Sequence, residues 1–272
     1  MLPGDRPGGV NCWICGVAVL GSGLPGWAAS EAALAGTAPW SPGDVVPPPP
    51  PLLPPTERRR TSPAVRLALA VAAEATAGIA DRAALETVFA SSNGDGAVVG
   101  GILEALHGPG SIALSPTQFH NSVHNSAAGY WHIAVGSVAP SVSLGGHDGS
   151  FAAGLLTAGI AVAARGAAVL LCAYDLPLPA PLAAVRPTGP GFGTALVLRP
   201  APTEGALARL SLRHVAEPAP APAPADALDA LAEGNPAARA LPLLRALAAR
   251  RPARIDLALS ADAHLALDLA PC

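Results

Sequence analysis

The stretch PSVSLGGHDGSFAAGLLTAGIAVAARGAAVLLCAY, residues 140–174, decides the fold. Ser141 to Leu144 read as a short strand and Gly145-Gly146 as a turn. Ser150 to Ala164 keep apolar residues at helical spacing, and Ala168 to Tyr174 form an apolar run of strand length. Strand, turn, helix and strand in that order predict a parallel crossover, with the helix N-terminus facing a strand's carboxyl end. Open α/β sheets place their sites there. Asp148 stands just ahead of that helix. Its simplest role is an N-cap, a carboxylate that accepts backbone N–H bonds and meets the helix dipole.

Upstream, Asn11 to Leu20 read as a strand ending at the turn Gly21-Ser22-Gly23, and Glu31 to Ala35 as a short helix. Pro47 to Pro51 are an unbroken proline run, which predicts an extended connector. Ser62-Pro63 pairs an N-cap with proline at the first helical position and opens a helix running towards Gly78. Thr87 to Ser91 predict a strand, broken at Ser92-Asn93-Gly94-Asp95-Gly96, and Val98 to Leu106 a helix. Downstream come a strand over Thr194 to Leu198, an Ala-Pro linker over Pro218 to Pro224 and a helix over Leu241 to Ala249. The alternation of Ile255, Leu257 and Leu259 with Leu265, Leu267 and Leu269 predicts a terminal β-hairpin. The organisation expected is an N-terminal strand and proline-rich connector (1–56), a main α/β unit (57–200), and a linker, helix and hairpin (201–272).

Composition narrows the function. The 272 residues carry a net charge of −3 without a single lysine, so neither nucleic acid nor an anionic membrane is the expected partner. Two apolar stretches resemble membrane-directed segments. Val10 to Ala29, after Asp5 and Arg6, is broken by glycines and Pro25 and lacks a basic start, which argues against a signal peptide. Phe151 to Tyr174 is split by Arg165-Gly166, and a mid-bilayer charge costs about 3 kcal/mol, so no membrane span is expected. Cys12, Cys15, Cys172 and Cys272 are too few and scattered for a disulfide framework, which points to the cytoplasm. Cys12 and Cys15 have C-x-x-C spacing but lie within a strand and lack further ligands, so no metal and no cofactor are expected.

Residues 115–133, SPTQFHNSVHNSAAGYWHI, hold three of the seven histidines. His120 or His124 with Asp148 offers the parts of a stand-alone thioester hydrolase or decarboxylase. The bland alternative is that His120, Asn121, Ser122, His124 and Asn125 satisfy backbone groups of a buried loop or a subunit interface. Arg58-Arg59-Arg60 reads as a solvated helix approach, or as a contact for an acidic partner such as a carrier protein.

In the passage from Asn125 to Asp175, the residues Asn125, Ala128, Gly129, Gly136, Pro140, Ser141 and Val169 fall without a gap on the central motifs of the ketoacyl synthases. The chain therefore resembles that branch of the thiolase-like superfamily. The phrases Ser150-Phe-Ala-Ala-Gly-Leu-Leu, Ala173-Tyr-Asp-Leu-Pro and Asn235-Pro-Ala-Ala-Arg, with the histidine-rich block, resemble the short chain length factors of aryl polyene pathways. The resemblance implies half of a thiolase-like layered α-β-α fold, with a mixed, largely parallel sheet and flanking helices, plus the C-terminal helix and hairpin. The same register puts Asp148 where the family has its nucleophilic cysteine, and nothing after Leu198 matches the family's histidine motifs.

In function, the resemblance implies a catalytically inactive subunit that pairs with an active ketoacyl synthase and shapes its acyl tunnel in polyene, polyketide or fatty-acid-like biosynthesis. Acyl carrier protein would be met indirectly, through that synthase. The tunnel or interface candidates it implies are Phe119, His120, Asn121, Val123, His124, Asn125, Tyr130, Trp131, Ser150 and Phe151. A half-fold of this kind exposes apolar surface that either the tail or another protein must cover.

Overall fold

A computed structural model describes residues 9–108, 114–220 and 224–272. Asp5 and Arg6, and part of the Ala-Pro linker, lie outside the described residues. In chain order the elements are β1 (Val10–Gly21), α1 (Trp27–Leu34), α2 (Pro55–Arg58), α3 (Pro63–Ala75), β2 (Glu86–Ala90), α4 (Gly96–His107), α5 (Pro116–Ser122), α6 (Ser126–Val135) and β3 (Ser141–Leu144). After these come a 3₁₀ turn (His147–Gly149), α7 (Ser150–Arg165), β4 (Val169–Asp175), α8 (Leu182–Val185), β5 (Phe192–Arg199), β6 (Ala208–Val215) and α9 (Leu231–Gly234). A second 3₁₀ turn (Ala237–Ala240), α10 (Leu241–Ala248), β7 (Ala253–Ala258) and β8 (His264–Pro271) complete the chain.

The eight strands of the described residues join one sheet in the order β3-β2-β4-β5-β1-β6-β8-β7. The predicted crossover is present: β3, α7 and β4 form a parallel unit with β2 inserted between the strands. The sheet is mixed as expected, but its parallel part ends there. Every pairing from β4 through β5, β1, β6 and β8 to β7 is antiparallel. Strand β6 has no counterpart among the strands expected from the sequence. Its alternation of buried Ala208, Leu210 and Leu212 with Arg209, Ser211 and Arg213 is interrupted by charge on one face only.

Helices cover both faces. Helix α3 begins where Ser62 Oγ accepts the Val65 N–H at 3.2 Å, and Pro63 supplies the fixed φ of the first turn. Its apolar side packs with α6 on one face, around Phe89, Tyr130, Trp131 and Leu170. Helix α7 ends on Gly166 in the left-handed region at φ 65°, which glycine adopts without a Cβ penalty. It packs on the other face with Phe151, Leu155 and Val162 inward.

The tail shares that second core. Leu228, Leu241, Leu243, Leu244 and Leu247 are buried in it beside β7 and β8. At about 1.5–3 kcal/mol for each buried leucine, the tail contributes on the order of 10 kcal/mol of apolar burial. The surface that a half-fold would leave open on this side is covered by the chain's own C-terminal segment.

Candidate functional site

The carboxyl ends of the three parallel strands converge, and each feeds one wall of the site. The loop after β2 supplies Ser91 to Asp95, the loop after β3 supplies Gly145 to Gly149, and β4 ends on Asp175. Asp148 lies on the second loop, but it does not cap α7. The cap residue is Gly149, with no side-chain hydrogen bond, because the chain enters the helix through a 3₁₀ turn that swings the aspartate outward. Ser150 holds the turn instead: its hydroxyl donates to the His147 carbonyl at 2.7 Å and accepts the Gly146 N–H at 3.0 Å.

The freed carboxylate meets two guanidinium groups. Arg186 Nη2 donates to Asp148 Oδ1 at 2.5 Å, and Arg239 Nη2 lies 3.2 Å from Oδ2. His147 Nδ1 is 3.6 Å from Oδ1. Burial alone would raise the pKa of Asp148, but the Arg186 hydrogen bond and the charges of Arg239, Arg186 and His147 outweigh it and hold the carboxyl below its ordinary value. Asp148 faces a cleft of 430 Å³ lined also by Gly146, His147, Gly149, Arg239 and the β7–β8 turn, Ala258 to Ala261. The 3₁₀ turn presses against that hairpin so closely that a Cβ at Gly149 would stand 2.3 Å from the Leu259 carbonyl oxygen. His147 has a φ of 52°, a left-handed conformation uncommon for a residue with a side chain.

Asp175 forms the floor. It is fully buried, and its Oδ1 accepts the Ser91 hydroxyl and the Asn93 N–H, each at 2.9 Å. Among the described residues its Oδ2 has no hydrogen-bond partner. Burial raises its pKa to about 6, against the opposing pull of the Asn93 N–H, the Ser91 hydroxyl, the Ser92 N–H and the Arg186 charge.

The expected site residues divide into groups. Neither His120 nor His124 is among the hydrogen-bond or ion-pair partners of Asp148, so the expected aspartate–histidine combination is not assembled here. His120 meets Tyr130 edge-on, with ring centroids 5.4 Å apart, and the His124 ring lies beside Gly94 and Gly145. Phe119, 65% exposed, and Val123 project outward from α5 and its C-cap, and His120, His124 and Asn125 are exposed. Asn121 is buried and donates to the Arg60 carbonyl at 2.9 Å. Tyr130, Trp131, Ser150 and Phe151 are buried within this chain. They pack its core and offer no surface for an interface.

Arg186, Arg239 and Asp175 are not marked out by the sequence. Arg239 ends the quoted phrase Asn235-Pro-Ala-Ala-Arg and Asp175 lies in Ala173-Tyr-Asp, but only the folded chain brings them beside Asp148. Among the described residues no cluster of His, Cys, Asp and Glu able to hold a metal is present, and no helix is long and apolar enough to cross a membrane.

This α/β unit, with its polar cluster at the strand ends, has a family. Residues 27–251 match the beta-ketoacyl synthase, N-terminal domain family, and the chain belongs to it. No curated protein sequence matches the chain. Among solved structures it is similar to a chain of the ketosynthase ApeO in complex with its chain length factor ApeC from Xenorhabdus doucetiae. The identity is 20% and the TM-score 0.71, over 95% of this chain and 99% of that one. It is also similar to a chain of the ishigamide ketosynthase/chain length factor, at 16% identity and a TM-score of 0.70, over 96% and 99%. Against the ketosynthase from module 6 of the bacillaene synthase of Bacillus subtilis 168 the figures are 14% and 0.52, over 70% of this chain but 40% of that one. The fold is thus that of the ketosynthase N-terminal half, closed by its own tail.

Proposed function

We propose that this chain is a catalytically silent ketoacyl-synthase-like subunit of the chain length factor type. It pairs in the cytoplasm with an active ketoacyl synthase and shapes that enzyme's acyl tunnel, in aryl polyene, polyketide or fatty-acid-like biosynthesis. The observation that carries this reading is the state of Asp148. A family nucleophile at this position must be free to attack a thioester. Here the side chain is a carboxylate with both oxygens committed to arginines and a depressed pKa, which makes it a poor nucleophile and a weak base. The match to whole chains of two ketosynthase and chain length factor assemblies supports the same reading.

The two edges of the sheet indicate where a partner would sit. Strand β7 carries Arg254 and Asp256 facing solvent, the charged residues that protect an edge from pairing. Strand β3 has none: it reads Ser-Val-Ser-Leu, with exposed Val142, beside fully exposed Val138 and half-exposed Ile160 of α7. An uncharged edge beside exposed apolar side chains favours strand addition by another protein. Phe119 and Val123 extend the apolar surface on α5.

The test is co-expression with the ketoacyl synthase encoded nearest to it, followed by size-exclusion chromatography and an acyl product profile for wild type and Phe119→Ala. A stable heterodimer whose products lengthen when Phe119 is truncated supports the proposal. Absence of a complex, together with thioester turnover by the isolated chain that Asp148→Asn abolishes, overturns it.

A further inference from the structure

Arg186 and Arg239 reach Asp148 from distant parts of the chain, the loop after α8 and the 3₁₀ turn before α10. A guanidinium offers five donors in a fixed fork that matches a carboxylate. Here each arginine presents one Nη2 to the same carboxylate, Arg186 to Oδ1 and Arg239 to Oδ2. Arg186 uses a further donor on Ser92 Oγ at 3.1 Å. Among the described residues the Arg239 side chain makes only the ion pair, with no hydrogen bond of good geometry, and, 32% exposed, it opens on the 430 Å³ cleft. His147 stands at the rim, and its left-handed backbone presents the neighbouring Asp148 to the arginines. Strain of this kind accumulates where a side chain is held for a binding purpose.

We propose that Arg186 and Arg239 form a receptor for a small carboxylate, and that Asp148 fills it as a ligand tethered to the chain. The charge balance selects the ligand class. With Asp148 removed, the two arginines are opposed by the buried Asp175 behind Arg186, which leaves roughly one unit of positive charge, suited to a monoanionic carboxylate rather than to a phosphate dianion. The proposal concerns the arginine pair of this chain alone. It needs no partner synthase, so its failure and the failure of the pairing reading are separate outcomes.

The experiment compares thermal unfolding of wild type, Asp148→Ala and the double variant Asp148→Ala/Arg239→Ala in 20 mM acetate or phosphate, at constant ionic strength against chloride. Acetate should raise the Tm of Asp148→Ala by about 2–3 °C relative to wild type, the shift that tenfold saturation gives a chain of this size. The double variant should lose the shift, and phosphate should give less than acetate. An equal shift in wild type and Asp148→Ala, a shift that survives in the double variant, or a larger shift with phosphate overturns the proposal. Should Asp148→Ala not fold, Asp148→Ser is the second variant, and recovery of its folding by acetate supports the receptor while no recovery overturns it.

Discussion

Replacing Asp175 by asparagine should make the protein's stability less dependent on pH. The folded chain holds this carboxyl at about 6, raised from 3.8 by burial. A folded-state pKa above the unfolded value means that the native state binds the proton more tightly. The stabilisation is fully present below the unfolded pKa and is lost as pH rises through the folded one. The rise from 3.8 to about 6 corresponds to about 3 kcal/mol in all, most of it lost between roughly pH 4 and pH 7. Asparagine keeps an oxygen to accept the Ser91 hydroxyl and the Asn93 N–H and carries no charge. Glu74, also raised by burial, and Asp148, Asp226 and Asp262, all lowered, titrate in both proteins and cancel in the difference. Urea unfolding of wild type and Asp175→Asn at pH 4, 5, 6, 7 and 8 is the assay. The variant should gain about 2.5 kcal/mol on wild type between pH 4 and pH 8. A difference that stays constant within about 0.5 kcal/mol across that range refutes the account of a buried, largely uncompensated carboxylate.

The same packing makes three further outcomes measurable. Leu244→Ala in the tail should cost about 3–5 kcal/mol in urea unfolding, because Leu244 is fully buried in the shared core, and a loss below about 1 kcal/mol would mean that the tail is not part of that core. Gly149→Ala should cost about 1–3 kcal/mol and alter the near-UV circular dichroism, since its Cβ meets a backbone carbonyl that can move only with the β7–β8 hairpin. A disulfide-exchange reagent should label Cys272 and Cys15 in the native protein and spare Cys12 and Cys172. Burial pushes the Cys12 thiol up to about 12 and raises that of Cys172, and labelling of either at the unfolded rate would contradict their burial.

The parts of this fold that were legible in the sequence are those with punctuation. Gly145-Gly146 and Gly166 bracket α7, Ser62-Pro63 opens α3, and the leucine alternation defines β7 and β8, so these elements lie within a residue or two of where the pattern puts them. Helices α5 and α6 were hidden because the histidine-rich block gives no apolar stripe of its own, although Ser115 caps α5 and Gln118 completes the capping box. Strand direction was legible only locally: the crossover makes β3 and β4 parallel and the hairpin makes β7 and β8 antiparallel, while nothing in the linear pattern inserts β2 or assigns the antiparallel pairings that run from β4 through β5, β1 and β6 to β8. For the site, position was readable and partners were not. Asp148 was visible as a residue ahead of a helix, but its arginines lie 38 and 91 residues away along the chain, and ion pairs at such separations leave no periodic trace.

Strand β1, near the start of the chain, lies between β5 and β6, with Trp13 opposite both Arg199 and Arg209. During synthesis this segment emerges before both of them and finds its neighbours only after about 180 further residues have been made. Until then its apolar side chains and open hydrogen-bonding edges have no native place to go, and loops of that length close slowly. Folding of the sheet is therefore a late event, completed when the hairpin that flanks β6 arrives. A ribosome-stalled chain ending before β5 should remain sensitive to protease throughout β1 and depend on a chaperone to stay soluble.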